Sequence, residues 1–291
     1  GPVRVEGSSM SAKTLRTRIV EFADRTPFVR PVWSYYRSMQ QKDRSRFDTI
    51  YHCCTQKTAS QWFRGIFADP VFRDHTGLIS VPYIDLGLKE ARIDQEFGSG
   101  TIATHLYIDY PTYRAIPKPA RYRTFFIMRD PRDAIVSWYF SARYSHPLVK
   151  PVDELRPALQ SMEFEDGMIF LIDKLEAYGS FTTQFSWLEA KHDPHVRLMR
   201  YEDLAADNRA FLASLLDYLE VDLPETAFDT LYARNNFQTL TGPRKQGEED
   251  IHAHNRKGVA GDWRNHFTAR IRDHFDKVMG GRLERLGYTA G

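Results

Sequence analysis

Apolar residues along this chain fall into two alternating rhythms. The segment FDTIYHCC, Phe47 to Cys54, is a short, partly β-branched apolar run, and such a run bounded by polar residues predicts a strand. After a polar break, Trp62, Phe63, Ile66 and Phe67 recur on one helical face, so Phe47 to Pro70 reads as strand, tight loop and helix. Leu78 to Leu86 (LISVPYIDL) adds a further strand. Gly98-Ser99-Gly100 then leads into TIATHLYI, a parallel-strand candidate with His105 near its end. TFFIM, ending at Met128, reads as a buried strand; Asp130 suits the N-cap, Pro131 the first helical position, and the helix continues through Trp138 and Tyr139. From Pro147 to His192 the pattern is mainly helical, with Met168, Ile169, Leu171, Ile172, Leu175 and Tyr178 spaced as core positions. His195 to Leu204 (HVRLMRYEDL) supplies another strand running into a turn, and helices follow over 207–220 and 225–236.

Composition narrows the class. The 291 residues are 42% hydrophobic and 27% charged, ample for a sizeable core, and one large α/β domain is the simplest organisation. A formal net charge of +2 argues against a large nucleic-acid footprint. The two cysteines, Cys53 and Cys54, are neighbours on the first strand and point to opposite faces, which excludes a disulfide framework and fits a reducing, cytoplasmic compartment. No run approaches the roughly 18 apolar residues that a membrane span needs, no signal-peptide pattern precedes the fold, and no internal repeat is visible. Residues 1–9 (GPVRVEGSS) read as an expression-tag remnant, with Met10 as the natural start and 10–291 as the domain.

Candidate chemistry begins in the loop QKTASQ after the first strand. Lys57 supplies a fixed positive charge, while Thr58, Ala59 and Ser60 are small enough to let backbone amides at the helix start face an anion such as phosphate or sulfate. The nucleotide P-loop pattern GxxxxGK(S/T) is absent. His105 taken alone reads either as a packed core histidine or as a base, Ser137 as a solvated or back-bonded helix serine, and Tyr201 as a strand-end aromatic. Trp33 and Tyr36, within an aromatic-rich segment from Ala12 to Arg46, either pack on the core or line an acceptor pocket, as do Tyr107 and Tyr110. His252 and His254, two histidines without a third ligand, are weak evidence for a metal site.

Several segments together resemble the cytosolic-type sulfotransferases. QKTASQW resembles that family's PKSGTTW loop, which holds the 5′-phosphosulfate of 3′-phosphoadenosine 5′-phosphosulfate (PAPS); Lys57, Ser60 and Trp62 match, while Gln56, Ala59 and Gln61 depart. Ala59 for glycine bears on how tightly the loop closes on phosphate. Ala103-Thr104-His105-Leu106 is similar to the Lys-x-His-Leu segment that carries the family's general base, with Ala103 in place of the lysine. RDPRDAIVSWY resembles the 3′-phosphate motif RNPKDVAVSYY, with both anion ligands at the family's spacing as Arg129 and Ser137. Tyr201-Glu202-Asp203 matches the YED element whose tyrosine lies against adenine, and Asn235-Asn236-Phe237 stands where the family often has Thr-Ser-Phe, Phe237 matching. RKGVAGDWRNHFT fits RKGxxGDWKNxFT nearly residue for residue, which implies that Arg256, Lys257 and Gly258 wrap the 3′-phosphate.

The resemblance implies a three-layer α/β sandwich with a central, mainly parallel sheet and a P-loop-like phosphosulfate-binding loop. It implies a PAPS-dependent sulfotransferase that moves a sulfuryl group to a hydroxyl or amine of a small-molecule acceptor and releases PAP, without a metal. His105 and Lys57 are the implied catalytic pair. Lys57, Thr58, Ala59, Ser60, Gln61, Trp62, Arg129, Ser137, Tyr201, Phe237, Arg256, Lys257 and Gly258 are the implied cofactor contacts, and 242–255 reads as a mobile flap. Two other readings stay open at this stage: a P-loop-type small-molecule kinase, and a PAP-binding module without catalysis. The sequence leaves oligomeric state open, a homodimer included, and gives no sign of a nucleic-acid or membrane partner.

Overall fold

Among the described residues, the strands form one sheet in the order β2-β3-β1-β4-β5, with every neighbouring pair parallel. The structure is a computed structural model, and it describes residues 45–82, 97–241, 246, 249–250 and 258–290. The strands are β1 (Thr49–Cys54), β2 (Ile79–Pro82), β3 (Thr101–Leu106), β4 (Tyr122–Met128) and β5 (Val196–Arg200). Every residue of β1 and β3 is buried, as expected of central parallel strands covered on both faces. From β1 the chain builds β2 and β3 on one side, then crosses to β4 and β5 on the other. Ligand crevices in such sheets open at the carboxyl ends of the strands where the order reverses.

Helices cover both faces. The helix α1 (Ser60–Ala68) buries the expected stripe of Trp62, Phe63, Ile66 and Phe67, and α2 (Pro70–Thr76) follows it directly, capped by Asp69. On that face Ile50, Cys54, Ile102, Phe125 and Ile127 of the sheet meet α1 and Leu212 and Leu215 from a later helix. On the opposite face Tyr51, Cys53, Leu106, Phe126 and Met128 meet Ile135, Leu171 and Phe275. Cys53 and Cys54 therefore fall into different layers, both free and buried.

The cap after β4 forms as its residues predict. Helices α3 (Tyr110–Ala115) and α4 (Pro131–Phe140) flank that strand, and the Asp130 carboxylate accepts the Arg132 amide at 2.9 Å while Pro131 takes the first turn. One turn of π-helix, Ser141–Ser145, prolongs α4, a distortion frequent at functional sites. The helical region from 147 to 192 resolves into α5 (Val152–Ser161), α6 (Phe164–Ala177), α7 (Ser180–Ser186) and a 3₁₀ stretch, Trp187–His192. Helices α8 (Tyr201–Ala206), α9 (Asn208–Tyr218), α10 (Glu225–Asn235) and α11 (Phe237–Thr241) come next, and a 3₁₀ turn (Asp262–Asn265) and α12 (Ala269–Met279) follow.

Two details differ from the sequence reading. The segment after β5 is the helix α8 and not a turn, with Glu202 and Asp203 placed in its first turn where acidic groups favour the helix dipole. The run at 78–86 is a strand over Ile79–Pro82, and its remainder lies outside the described residues, as do Trp33, Tyr36 and most of 242–255.

Candidate functional site

A cleft of about 700 Å³ opens at the carboxyl ends of the central strands. One wall is the loop after β1. Lys57 and Ala59 both adopt left-handed backbone, with φ of 67° and 65°, which costs an L-residue roughly 1–2 kcal/mol. The Ala59 carbonyl accepts the amides of Trp62 and Phe63 at 2.9 and 3.2 Å, so this strained residue sets the start of α1. Alanine thus holds a conformation that glycine adopts without strain. The Thr58 side chain turns inward: it is fully buried, and its hydroxyl donates to the Thr55 carbonyl at 2.7 Å. Only the Thr58 backbone is left to face a ligand, whereas Lys57, Ala59, Ser60, Gln61 and Trp62 all line the cleft.

Two cations stand together in the cleft. The Lys57 ammonium donates to the Ser141 hydroxyl at 3.0 Å and lies 5.9 Å from the Trp138 ring centre. Burial, reinforced by the charge of Arg129, lowers its pKa to about 7. Arg129 stacks its guanidinium 3.9 Å from the Tyr201 ring centre and donates from one terminal nitrogen to the Lys57 carbonyl, while its buried Nε–H has no partner. Its backbone is clamped by Gln184, whose amide pairs with the Arg129 N–H and C=O at 3.0 and 2.9 Å. Ser137, two turns along α4, lines the same cleft.

The segment carrying Gly258 docks here through Asp133. That carboxylate accepts the amides of Gly261 at 2.6 Å and Trp263 at 2.9 Å, and burial raises its pKa despite Arg129 and these two bonds. Gly258 has φ of 66°, and a Cβ there would lie 2.1 Å from the Phe237 ring, so the backbone passes this aromatic at a distance that only glycine permits. Phe237 and Gly258 both line the cleft; Arg256 and Lys257 lie outside the described residues. Glu202 completes the frame by accepting the Asp130 amide at 2.8 Å and the Tyr288 hydroxyl at 3.1 Å.

His105 lines the same cleft. The register of β1 against β3 runs Tyr51 to Ala103 and then Cys53 to Leu106, so β3 carries one extra residue opposite His52. Such a bulge re-aims side chains next to sites. His52 fills the place opposite: its Nδ1 lies 2.7 Å from the Thr104 hydroxyl, its ring stacks on Phe125, and its centre is 6.3 Å from that of His105. His105 is 1% exposed, its Nδ1 has no partner, and burial, with Arg64 adding, lowers its pKa to about 4. The imidazole is therefore neutral at physiological pH, the form that accepts a proton. Ala103 is fully buried with Tyr51 and Leu106, so β3 brings no cation beside it. Tyr107 lines the cleft next to His105, whereas Tyr110 packs on Trp187 and donates to Asp193.

The structure thus gathers Lys57, Ser60, His105, Arg129, Ser137, Tyr201, Phe237 and Gly258 around one cleft. Asp133, Ser141, Gln184, Glu202 and His52 support it and carried no assigned role in the sequence. Asp133 stands four residues beyond Arg129 inside RDPRD, a signal within reach; Gln184 sits in an ordinary helical stretch that gives none.

Comparison with known proteins gives a consistent picture. The family model described as "Sulfotransferase domain" matches residues 10–287. The rabbit (Oryctolagus cuniculus) protein "Amine sulfotransferase" is 25% identical over 259 residues, 80% of each chain. "Sulfotransferase 2A2" of Mus musculus is 25% identical over 269 residues, covering 86% of this chain and 90% of its own. Among solved structures, mouse sulfotransferase SULT7A1 complexed with PAP superposes with a TM-score of 0.57 at 20% identity, over 85% of this chain and 90% of that one, a shared fold.

Proposed function

The chain belongs to the sulfotransferase domain family, and from that premise we propose that it transfers a sulfuryl group from PAPS to a hydroxyl or amine of a small-molecule acceptor, releasing PAP. The observation that carries this reading is that two cations with unspent capacity, Lys57 and Arg129, line the same cleft as a neutral, buried histidine, His105. The unpartnered Nε–H of Arg129 and the close pass of Gly258 over Phe237 fit a phosphorylated nucleotide: a charged donor for phosphate, and a slot beside an aromatic ring.

In this reading the α1 amides, Lys57 and Ser60 hold the 5′-phosphosulfate, Arg129 and Ser137 the 3′-phosphate together with Arg256, Lys257 and Gly258, and Tyr201, Trp62 and Phe237 the base. Thr58, Ala59 and Gln61 contribute through the loop that presents those amides. The bound nucleotide supplies an activated sulfuryl group, whose sulfur bonds to the acceptor atom as the bond to the phosphate oxygen breaks with its electron pair. His105 takes the acceptor's proton, and Lys57 opposes the negative charge that develops on the departing phosphate oxygen. Positioning and fixed charge do most of this work, as in phosphoryl transfer. A cytoplasmic location is part of the proposal, since two buried thiols with no disulfide suit a reducing compartment.

Calorimetric titration with PAP, AMP and ATP in metal-free buffer tests the reading. Selective binding of PAP is the expected result. ATP binding without PAP binding would return the kinase, and PAP binding with no PAPS consumed across an acceptor panel would return the inactive module.

A further inference from the structure

Among the described residues three cations line the cleft, and they are not equivalent. Lys57 is bonded to Ser141 and Arg129 to the Lys57 carbonyl, so each already spends a donor inside the protein. Arg64, on α1, has no hydrogen bond or ion pair among the described residues. Helical spacing places it one turn beyond Ser60 on the same face, along the edge of the buried stripe. Ser60 and Tyr107 both line the cleft, and the Tyr107 ring lies 5.4 Å from that of His105.

The charge of Arg64 acts on the groups around the histidine. Burial lowers the pKa of His105 and the charge of Arg64 adds to that; burial raises the pKa of Tyr107 and Arg64 opposes the rise, whereas the cation that bears on Lys57 is Arg129. Arg64 therefore bears on the histidine, in the same cleft as Lys57 and Arg129. A half-buried guanidinium in a cleft without a carboxylate partner is set up to meet an incoming anion. With Ala103 fully buried in apolar surroundings, Arg64 is the cation that the cleft offers beside His105 among the described residues.

We propose that Arg64 recognises the acceptor, and that the acceptor is an acid: a hydroxyl or amine compound carrying a carboxylate or a comparable anionic group close to the atom that is sulfated. This rests on the sulfotransferase reading of the same cleft. The reaction is unchanged by it: the acceptor oxygen or nitrogen bonds to sulfur, the sulfur–oxygen bond to phosphate breaks, and the proton goes to His105. What the anion adds is anchorage, and it offsets a positive charge that otherwise depresses the basicity of the neighbouring imidazole.

The test is the ratio of kcat/KM, with PAPS as donor, for matched pairs of hydroxybenzoates and hydroxyphenylacetates against their neutral amides. The acids should be preferred by about ten- to a hundredfold, the usual yield of a charge-assisted bond. Arg64→Lys should keep most of that ratio and Arg64→Gln should bring it near unity. Arg64→Glu should turn the preference toward the corresponding aminomethyl compounds. A fall in kcat common to acids and amides in Arg64→Gln would mean that Arg64 serves the sulfuryl group, and it would overturn the proposal. So would a wild-type ratio near unity, or no acid in the panel outperforming its amide. PAP calorimetry on each variant separates the two levels: lost PAP binding by the wild type refutes the sulfotransferase reading, whereas intact PAP binding with no discrimination refutes the role of Arg64 alone.

Discussion

Lys57 makes nucleotide binding a proton-linked event. Its pKa in the free protein is lowered to about 7, burial contributing most and Arg129 adding to it. Phosphates placed against it would restore the charged form, so the complex holds more protons than the free protein at alkaline pH. The sign follows directly: binding weakens as pH rises. At about pH 8 roughly one tenth of the free protein carries the charged amine, so PAP binding should take up about 0.9 proton, against about 0.1 at about pH 6. Above neutrality the affinity should fall nearly tenfold per pH unit, about 1.4 kcal/mol. Calorimetry at each pH, repeated in buffers of different ionisation enthalpy, reads the proton count directly. Lys57→Arg keeps a charge that does not titrate in this range, and it should bind with the proton uptake abolished. Uptake near zero in the wild type at about pH 8, or equal uptake in Lys57→Arg, would refute the reasoning.

Other consequences are as direct. Arg129→Ala should weaken PAP by roughly 2–4 kcal/mol while changing AMP affinity far less, because the lost partner is the 3′-phosphate; equal losses for the two nucleotides would remove that role. His105→Ala should abolish turnover with PAP affinity retained, and in the wild type the acid limb of kcat/KM should lie near the lowered pKa of about 4, since neutral imidazole is lost only as pH falls through that value. His52→Phe should lower kcat more than it changes KM, with His52→Asn partly restoring it through the bond to Thr104; a loss confined to thermal stability would show that His52 only fills space. Asp133→Asn replaces one of two accepting oxygens by a donor facing an amide, and a buried unsatisfied group costs about 1–3 kcal/mol. Hydrogen exchange should accelerate at Gly261 and Trp263, and PAP affinity should fall with it.

Much of this architecture was legible because local and global signals agree. The buried run at β1, the one-sided stripe of α1 and the Asp130-Pro131 helix start need no distant partner to be read. The β3 bulge escaped, because an extra residue leaves no mark in TIATHL and emerges only when β1 supplies the opposing register. The inward turn of Thr58, the left-handed Ala59 and the clamp of Gln184 on Arg129 are likewise products of long-range contact. Motif resemblance named most residues that line the cleft, yet it was silent on Arg64, which matches no family signature and acquires meaning only from the company it keeps.

The adjacent thiols of β1 have a practical use. One belongs to each layer, and burial pushes both pKa values up, that of Cys54 to about 12, so neither reacts while its layer is closed. Two single-cysteine variants would therefore act as separate clocks, each recording by its alkylation rate how often one side of the sheet opens to reagent. Because Cys54 lies three residues before Lys57, a bound nucleotide should slow its clock first, and comparing the two rates would tell ligand-induced tightening of one face from stabilisation of the whole molecule.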